Sequence, residues 1–262
     1  MLLCSVVPYA ELDGLRLYYE RAGSGDPELL FVHGWCCDHT AFRPQFEHFA
    51  GAHAVTALDL RGCGQSDRPE DGYDIPDFAD DLAGFCAEVG INKPVVAGHS
   101  LGGMIAVELA ARHPFVPRAL VLVDPGPIDP LPETVRAFEG LAQGLAGPSG
   151  EDVRRQYVQD LGARDDELAR RIADLMCGVP LPIATAVIRG VNAWNGVGAL
   201  ALCTVPALLL RSRLAANPDA VRLRTLKPDL EVGITVGAGH FHHLEVPEQV
   251  NAMVERFLAT AL

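Results

Sequence analysis

The segment Gly98-His99-Ser100-Leu101-Gly102-Gly103 constrains the fold more than any other stretch of this chain. It follows a short apolar run, Pro94–Ala97 (PVVA), and precedes a helical one, Leu101–Arg112, so it reads as a sharp strand-to-helix turn. A serine at the centre of such a turn is driven into strained backbone angles, and its neighbours must be small to avoid clashing. The G-x-S-x-G spacing exposes the hydroxyl at the helix N-terminus, where the Leu101 amide points at any negative charge developing on a bound group. Strand, turn and helix together make this a nucleophile elbow and not a plain Gly/Ser turn.

The elbow sits within a repeating pattern. Leu15–Arg21 alternates like a half-exposed strand, whereas Leu29–Val32, Ala54–Leu58 and Ala119–Val123 are short and solidly apolar, as buried parallel strands are. Helical spacing separates them at Thr40–Phe49 and Ile75–Val89. This βα order predicts a doubly wound α/β sheet. After Asp124 the pattern breaks: Glu133–Leu145, Glu151–Leu161 and Asp165–Met176 are charged, helical and separated by Gly and Pro, with no strand among them. Strand character returns at Pro206–Leu210 and Leu230–Val236, and a helix opened by Pro247 runs over Glu248–Leu258. The expected organisation is a core of residues 1–124 and 203–262 with a helical cap insertion over 125–202.

Composition narrows the function classes. With 49% hydrophobic and 21% charged residues in 262, the chain is globular, and its net charge of −13 repels phosphate backbones and anionic lipid headgroups. Nucleic acid and membrane surfaces are therefore unexpected partners. Seven cysteines, at 4, 36, 37, 63, 86, 177 and 203, form an odd set without a CxxC pair and read as reduced thiols. The start, MLLCSVVPYAELDG, carries no basic residue before its apolar run and reads as a first strand, not a secretory signal. No stretch approaches the roughly 20 apolar residues of a membrane span. A cytoplasmic protein acting on a small-molecule substrate is expected.

Five motifs in chain order carry a family resemblance: His33-Gly34-Trp35, Asp59-Leu60-Arg61-Gly62-Cys63-Gly64-Gln65-Ser66, the elbow, Gly237-Ala238-Gly239-His240, and Glu245-Val246-Pro247-Glu248. Across nearly its whole length the chain resembles the α/β-hydrolase superfamily. The resemblance implies a mostly parallel eight-stranded sheet, a second oxyanion donor in the Trp35 backbone N–H, and a largely structural Asp59. It also places the catalytic histidine at His240, on a loop reaching back to the elbow. An imidazole there suits the task, because a serine hydroxyl is a poor nucleophile until a base takes its proton.

The acid departs from the common pattern. Where most members carry an aspartate after the seventh strand, this chain reads Arg211-Ser212-Arg213-Leu214-Ala215-Ala216. Two replacements are available: Asp124, ending the strand beside the one that bears Ser100, and Asp219, which also suits the cap of a helix at Ala220–Leu226. Asp124 is preferred, as some branches of the family place their acid there, with Asp219 the alternative.

His242 and His243 follow His240, but HFHH lacks the i, i+4 spacing of a helical metal site, so no metal is expected. Nor is a cofactor implied, since no Walker or dinucleotide fingerprint occurs. His33 and His99 read as structural, and His39, His48, His53 and His113 as surface or helix-end residues. Trp35 and Trp194 are candidate substrate contacts. The implied chemistry is hydrolysis of a small or medium apolar ester or lactone through an acyl-enzyme on Ser100. One alternative is a cofactor-independent dioxygenase of N-heteroaromatic compounds using His240 and Asp124, which the HGWC turn followed by Asp38-His39 resembles. Others are a carbon–carbon bond hydrolase and a non-enzymatic receptor on a hydrolase fold.

Overall fold

The computed structural model describes residues 9–161, 163, 165–212 and 220–262. Eight strands, β1 (Tyr9–Leu12), β2 (Leu15–Ala22), β3 (Leu29–Val32), β4 (Val55–Leu58), β5 (Val95–His99), β6 (Ala119–Val123), β7 (Ala207–Ser212) and β8 (Glu231–Thr235), form one sheet in the order β1-β2-β4-β3-β5-β6-β7-β8. Both pairings made by β2, with β1 and with β4, are antiparallel; every other neighbour is parallel. The expected eight-stranded, mostly parallel α/β-hydrolase sheet is therefore present.

Alternation along the central strands explains why helices cover both faces. In β3, Leu29 and Phe31 pack with Phe42, which precedes α1 (Arg43–Phe49), and with Phe46, Phe49, Val250 and Phe257 from the buried stripes of α1 and α11 (Pro247–Ala261). Leu30 and Val32 face the other way, toward α2 (Ile75–Glu88) and α3 (Leu101–Arg112). A strand buried on both sides needs no polar face, which is why these runs are solidly apolar. The helix expected over Thr40–Phe49 is divided. His39–Phe42 is a 3₁₀ turn, and α1 starts afresh at Arg43 with Pro44 in its first turn, where a missing N–H costs nothing.

Between β6 and β7 lie five helices: α4 (Pro132–Leu145), α5 (Gly150–Asp160), α6 (Asp166–Cys177), α7 (Leu181–Ala193) and α8 (Gly196–Leu202). Three fall where the periodicity puts them. Two short helices, α9 (Ala220–Leu226) and α10 (His242–Glu245), flank β8. The six described cysteines are free, and no single described helix is long and apolar enough to cross a membrane. Residues 1–8 of the proposed first strand lie outside the described residues.

Candidate active site

Strand β5 runs through His99 and hands directly to α3, with Ser100 between them at φ +52°, ψ −114°. This strained conformation is held from several sides. The Ser100 N–H donates to Val123 O (3.0 Å), and its carbonyl accepts from the N–H groups of Gly103 and Gly126 (both 3.0 Å). A Cβ on Gly98 would stand 2.1 Å from Gly102 O, and one on Gly102 the same distance from Val32 O, so the turn closes only with glycine at both places.

The loop after β6 docks on this turn. Asp124 also takes a positive φ, +42°, and its N–H donates to Leu210 O of β7 (2.7 Å). Its fully buried carboxylate accepts from Ser212 N–H on one oxygen (3.4 Å), while the other lies 2.9 Å from His240 Nδ1. That contact fixes the Nδ1–H tautomer and leaves Nε2 without a protein partner among the described hydrogen bonds. Asp219 lies outside the described residues.

Ser100 and His240 line one pocket with Trp35 and Leu101. Among the described hydrogen bonds, none joins the Ser100 hydroxyl to His240; such contacts often tighten only when substrate binds. The amides of Trp35 and Leu101, the expected oxyanion donors, also have no backbone acceptor there. Trp35 is anchored by its indole N–H, which donates to Ala184 O of α7 (3.0 Å), and by edge-on contact with Tyr157 of α5. Phe138, Tyr157, Leu161, Met176, Ile188 and Val191 form the opposite wall. In the sequence these six read as ordinary apolar stripes, and nothing in an amphipathic pattern separates a pocket wall from a core contact. No Lys, Arg, Asp or Glu lines the pocket among the described residues.

Trp194 is elsewhere. Its indole N–H donates to Glu108 of α3 (2.7 Å), and it borders a separate depression with Arg112 and Asn195, so it does not meet Ser100. At the end of α7 it tethers the insertion to the core.

His39, expected at the surface or at a helix end, does open the 3₁₀ turn but is not a surface residue. It is buried, with Nδ1 2.7 Å from Asp59 and Nε2 3.3 Å from Glu20. Burial opposes its charge, but the hydrogen bond to Asp59 and the surrounding carboxylates hold its pKa above the ordinary imidazole value. Asp59, fully buried, is in turn held low against its own burial by His39, His33 and the Gln65 N–H. Asp38, His39 and Asp59 bring ligand-type atoms within 4.8 Å of one another. The two carboxylates are already engaged, Asp38 by Thr40 and Asp59 by His39 and Gln65.

His99, which lines the pocket beside His240, packs with His243, and His242 and His243 are buried just beyond the lining. The His99 ring lies 4.7 Å from His240 and 4.2 Å from His243, and its Nε2–H donates to the His240 carbonyl (3.0 Å). Burial, reinforced by the neighbouring imidazoles, holds His99 and His243 well below the usual value and His242 at about 4. Burial drives the thiols of Cys36 and Cys37 in the opposite sense, upward, so neither is a thiolate nucleophile.

The comparisons with known proteins agree with this architecture. A 2-(acetamidomethylene)succinate hydrolase of Mesorhizobium japonicum is 27% identical over 95% of this chain and 93% of its own length. The enol-lactonase of Burkholderia xenovorans superposes with a TM-score of 0.85 at 21% identity, covering 96% of this chain and all of its own (100%). A thermophilic esterase of Thermogutta terrifontis gives 0.83 at 23% identity, with 97% of each chain covered. The model of the alpha/beta hydrolase family matches residues 29–253, a span that takes in the oxyanion turn, the elbow, the Asp124 loop and the His240 loop. On the sheet order, the elbow and that match, the chain belongs to the alpha/beta hydrolase family.

Proposed function

We propose that this protein is a serine hydrolase of small or medium, uncharged carboxylic esters or lactones. The observation that carries the reading is the buried His240–Asp124 contact of 2.9 Å beside a serine elbow in an apolar pocket. Asp124 holds His240 with Nδ1 protonated, so Nε2 can accept the Ser100 proton as Oγ attacks the carbonyl carbon. The tetrahedral oxyanion is received by the Trp35 and Leu101 amides. As the intermediate collapses, the carbon–oxygen bond to the alcohol breaks and the proton on Nε2 passes to the leaving oxygen. Water then gives a proton to His240 and its oxygen to the acyl carbon, releasing the acid and restoring Ser100.

The helices between β6 and β7 supply most of the wall facing Ser100, so they select the substrate while the sheet edge performs the chemistry. The Mesorhizobium relative is named for a succinate, but among the described residues no cationic side chain lines this pocket to meet a carboxylate pair, and that substrate is not carried over. The esterase and the enol-lactonase are closer guides to the substrate class. The dioxygenase reading draws on the HGWC turn with Asp38-His39, and His39 lies outside the pocket, between Asp59 and Glu20. A panel of p-nitrophenyl esters with acyl chains from acetate to octanoate tests the proposal. Wild type should turn over the short and medium members and Ser100→Ala none; equal turnover by the two proteins would falsify it.

A further inference from the structure

Within an otherwise apolar wall the pocket holds one phenol. Tyr157, on α5, lines the cavity opposite the elbow, and burial pushes its hydroxyl up to about 12, so it stays a neutral donor at any physiological pH. Among the described hydrogen bonds nothing accepts from its hydroxyl or donates to it, and that hydroxyl is not among the fully buried, unpartnered side-chain atoms, so it stays accessible. The ring is fixed from the side. It meets Trp35 edge-on, with centroids 5.6 Å apart at 80°, and Trp35 is itself pinned to Ala184. A fixed, half-buried phenol on the pocket wall, with no protein partner among the described hydrogen bonds, is complementary to an acceptor that arrives with the ligand.

We propose that Tyr157 is a substrate-positioning residue that donates to a second, uncharged oxygen of the substrate, such as a keto, amide or ether oxygen, distinct from the scissile carbonyl. This rests on the hydrolase reading and deepens it. The preferred ligand becomes an oxygen-bearing neutral ester or lactone, in place of a plain hydrocarbon ester. Among the described residues no cation lines the pocket, which disfavours a carboxylate at that place, while a neutral acceptor satisfies the phenol without placing a charge in the apolar wall. Because Tyr157 is carried by the insertion and Trp35 by the oxyanion turn, their contact also sets the distance between the second oxygen and the reacting carbon.

The test compares p-nitrophenyl hexanoate with the 3-oxo, 4-oxo and 5-oxo hexanoates, for wild type and Tyr157→Phe. Wild type should favour at least one oxo ester over hexanoate by about fivefold in kcat/KM, the worth of one neutral hydrogen bond. In Tyr157→Phe that ratio should fall toward one, through KM and not kcat, since the bond is made equally in ground and transition states. Hydrolysis of hexanoate by wild type but not by Ser100→Ala, with no preference for any oxo ester, overturns the role of Tyr157 and leaves the hydrolase reading standing. A preference that survives in Tyr157→Phe also overturns it. Failure to hydrolyse any of the four esters overturns both.

Discussion

Two buried aspartate–histidine pairs stand at the same edge of the sheet, and their difference defines the site. Asp124 meets His240 Nδ1 at 2.9 Å, and Asp59 meets His39 Nδ1 at 2.7 Å; both carboxylates are fully buried and follow core strands, β6 and β4. What separates them is the far ring nitrogen. His39 Nε2 faces a second carboxylate, Glu20, and although burial opposes its charge, Asp59, Asp38 and Glu20 together hold its pKa above the ordinary imidazole value. His240 Nε2 opens on the pocket beside Ser100. Both ring nitrogens of His39 are committed to carboxylates, whereas His240 commits only one, so the same two residue types form a brace in one place and, on the proposed hydrolase reading, a proton acceptor in the other.

The largest effects should come from exchanging those roles. His240→Gln and Asp124→Asn should each lower kcat/KM by about 10³-fold or more while leaving the fold intact, the first by removing the base and the second by releasing its tautomer. Asp59→Asn and His39→Gln should do the reverse. Breaking the buried pair should cost about 3 to 5 kcal/mol of stability, read by urea unfolding, with activity of the remaining folded protein reduced less than about tenfold. If His39→Gln abolished turnover in folded protein, the two pairs could not be told apart in this way. Trp194→Phe, which loses the bond to Glu108, should likewise lower stability, by about 1 kcal/mol, more than it alters KM.

The brace and the base were not equally legible in the sequence. The βα alternation marks the central strands because they are buried on both faces, and the elbow is legible because its small residues and strained serine admit few alternatives. Asp124 could be singled out because it ends the strand beside that of Ser100. Its competitor, Asp219, is not among the described residues, so the geometry bears on Asp124 alone. His39 could not be assigned. It follows a polar residue in a loop and precedes a short 3₁₀ turn, and its burial depends on Glu20 from β2 and Asp59 after β4, which only the tertiary fold assembles. Trp194 misled for a related reason, since an aromatic at the end of a capping helix can point to the pocket or to the core. The pocket wall is hidden most deeply: Tyr157 and Phe138 occupy apolar positions whose pattern says buried, but not buried against what.

Acid separates the pairs through their surroundings. His33, His99, His242 and His243 are held low by burial, so between an unfolded value near 6.5 and a folded value of about 4 for His242 the unfolded chain binds more protons. Stability is therefore full above about pH 6.5 and falls as pH drops, by up to about 1.4 kcal/mol per pH unit for each histidine. His39, raised by its carboxylates, has the opposite sign: its contribution is complete below the unfolded value and is lost as pH climbs through its folded one. Urea midpoints at pH 7 and pH 5 should show the net loss. His243→Phe should reduce the slope by about one proton, whereas His39→Gln should not reduce it.

The smallest effect isolates what makes His39 a brace. Glu20 is part-exposed and shared between His39 and Arg43, whose guanidinium lies 2.9 Å from its other oxygen. Solvent screens such a pair, so Glu20→Gln should change stability by no more than about 0.5 to 1 kcal/mol. Its signature is instead in the titration. With one of the flanking anions removed, the His39 ring resonances should move at lower pH than in wild type. A His39 titration unchanged in Glu20→Gln would mean that Asp59 and Asp38 suffice to raise it. The two aspartate–histidine pairs would then differ only in what their far nitrogens can reach, and the proximity of Ser100 would have to carry the whole distinction.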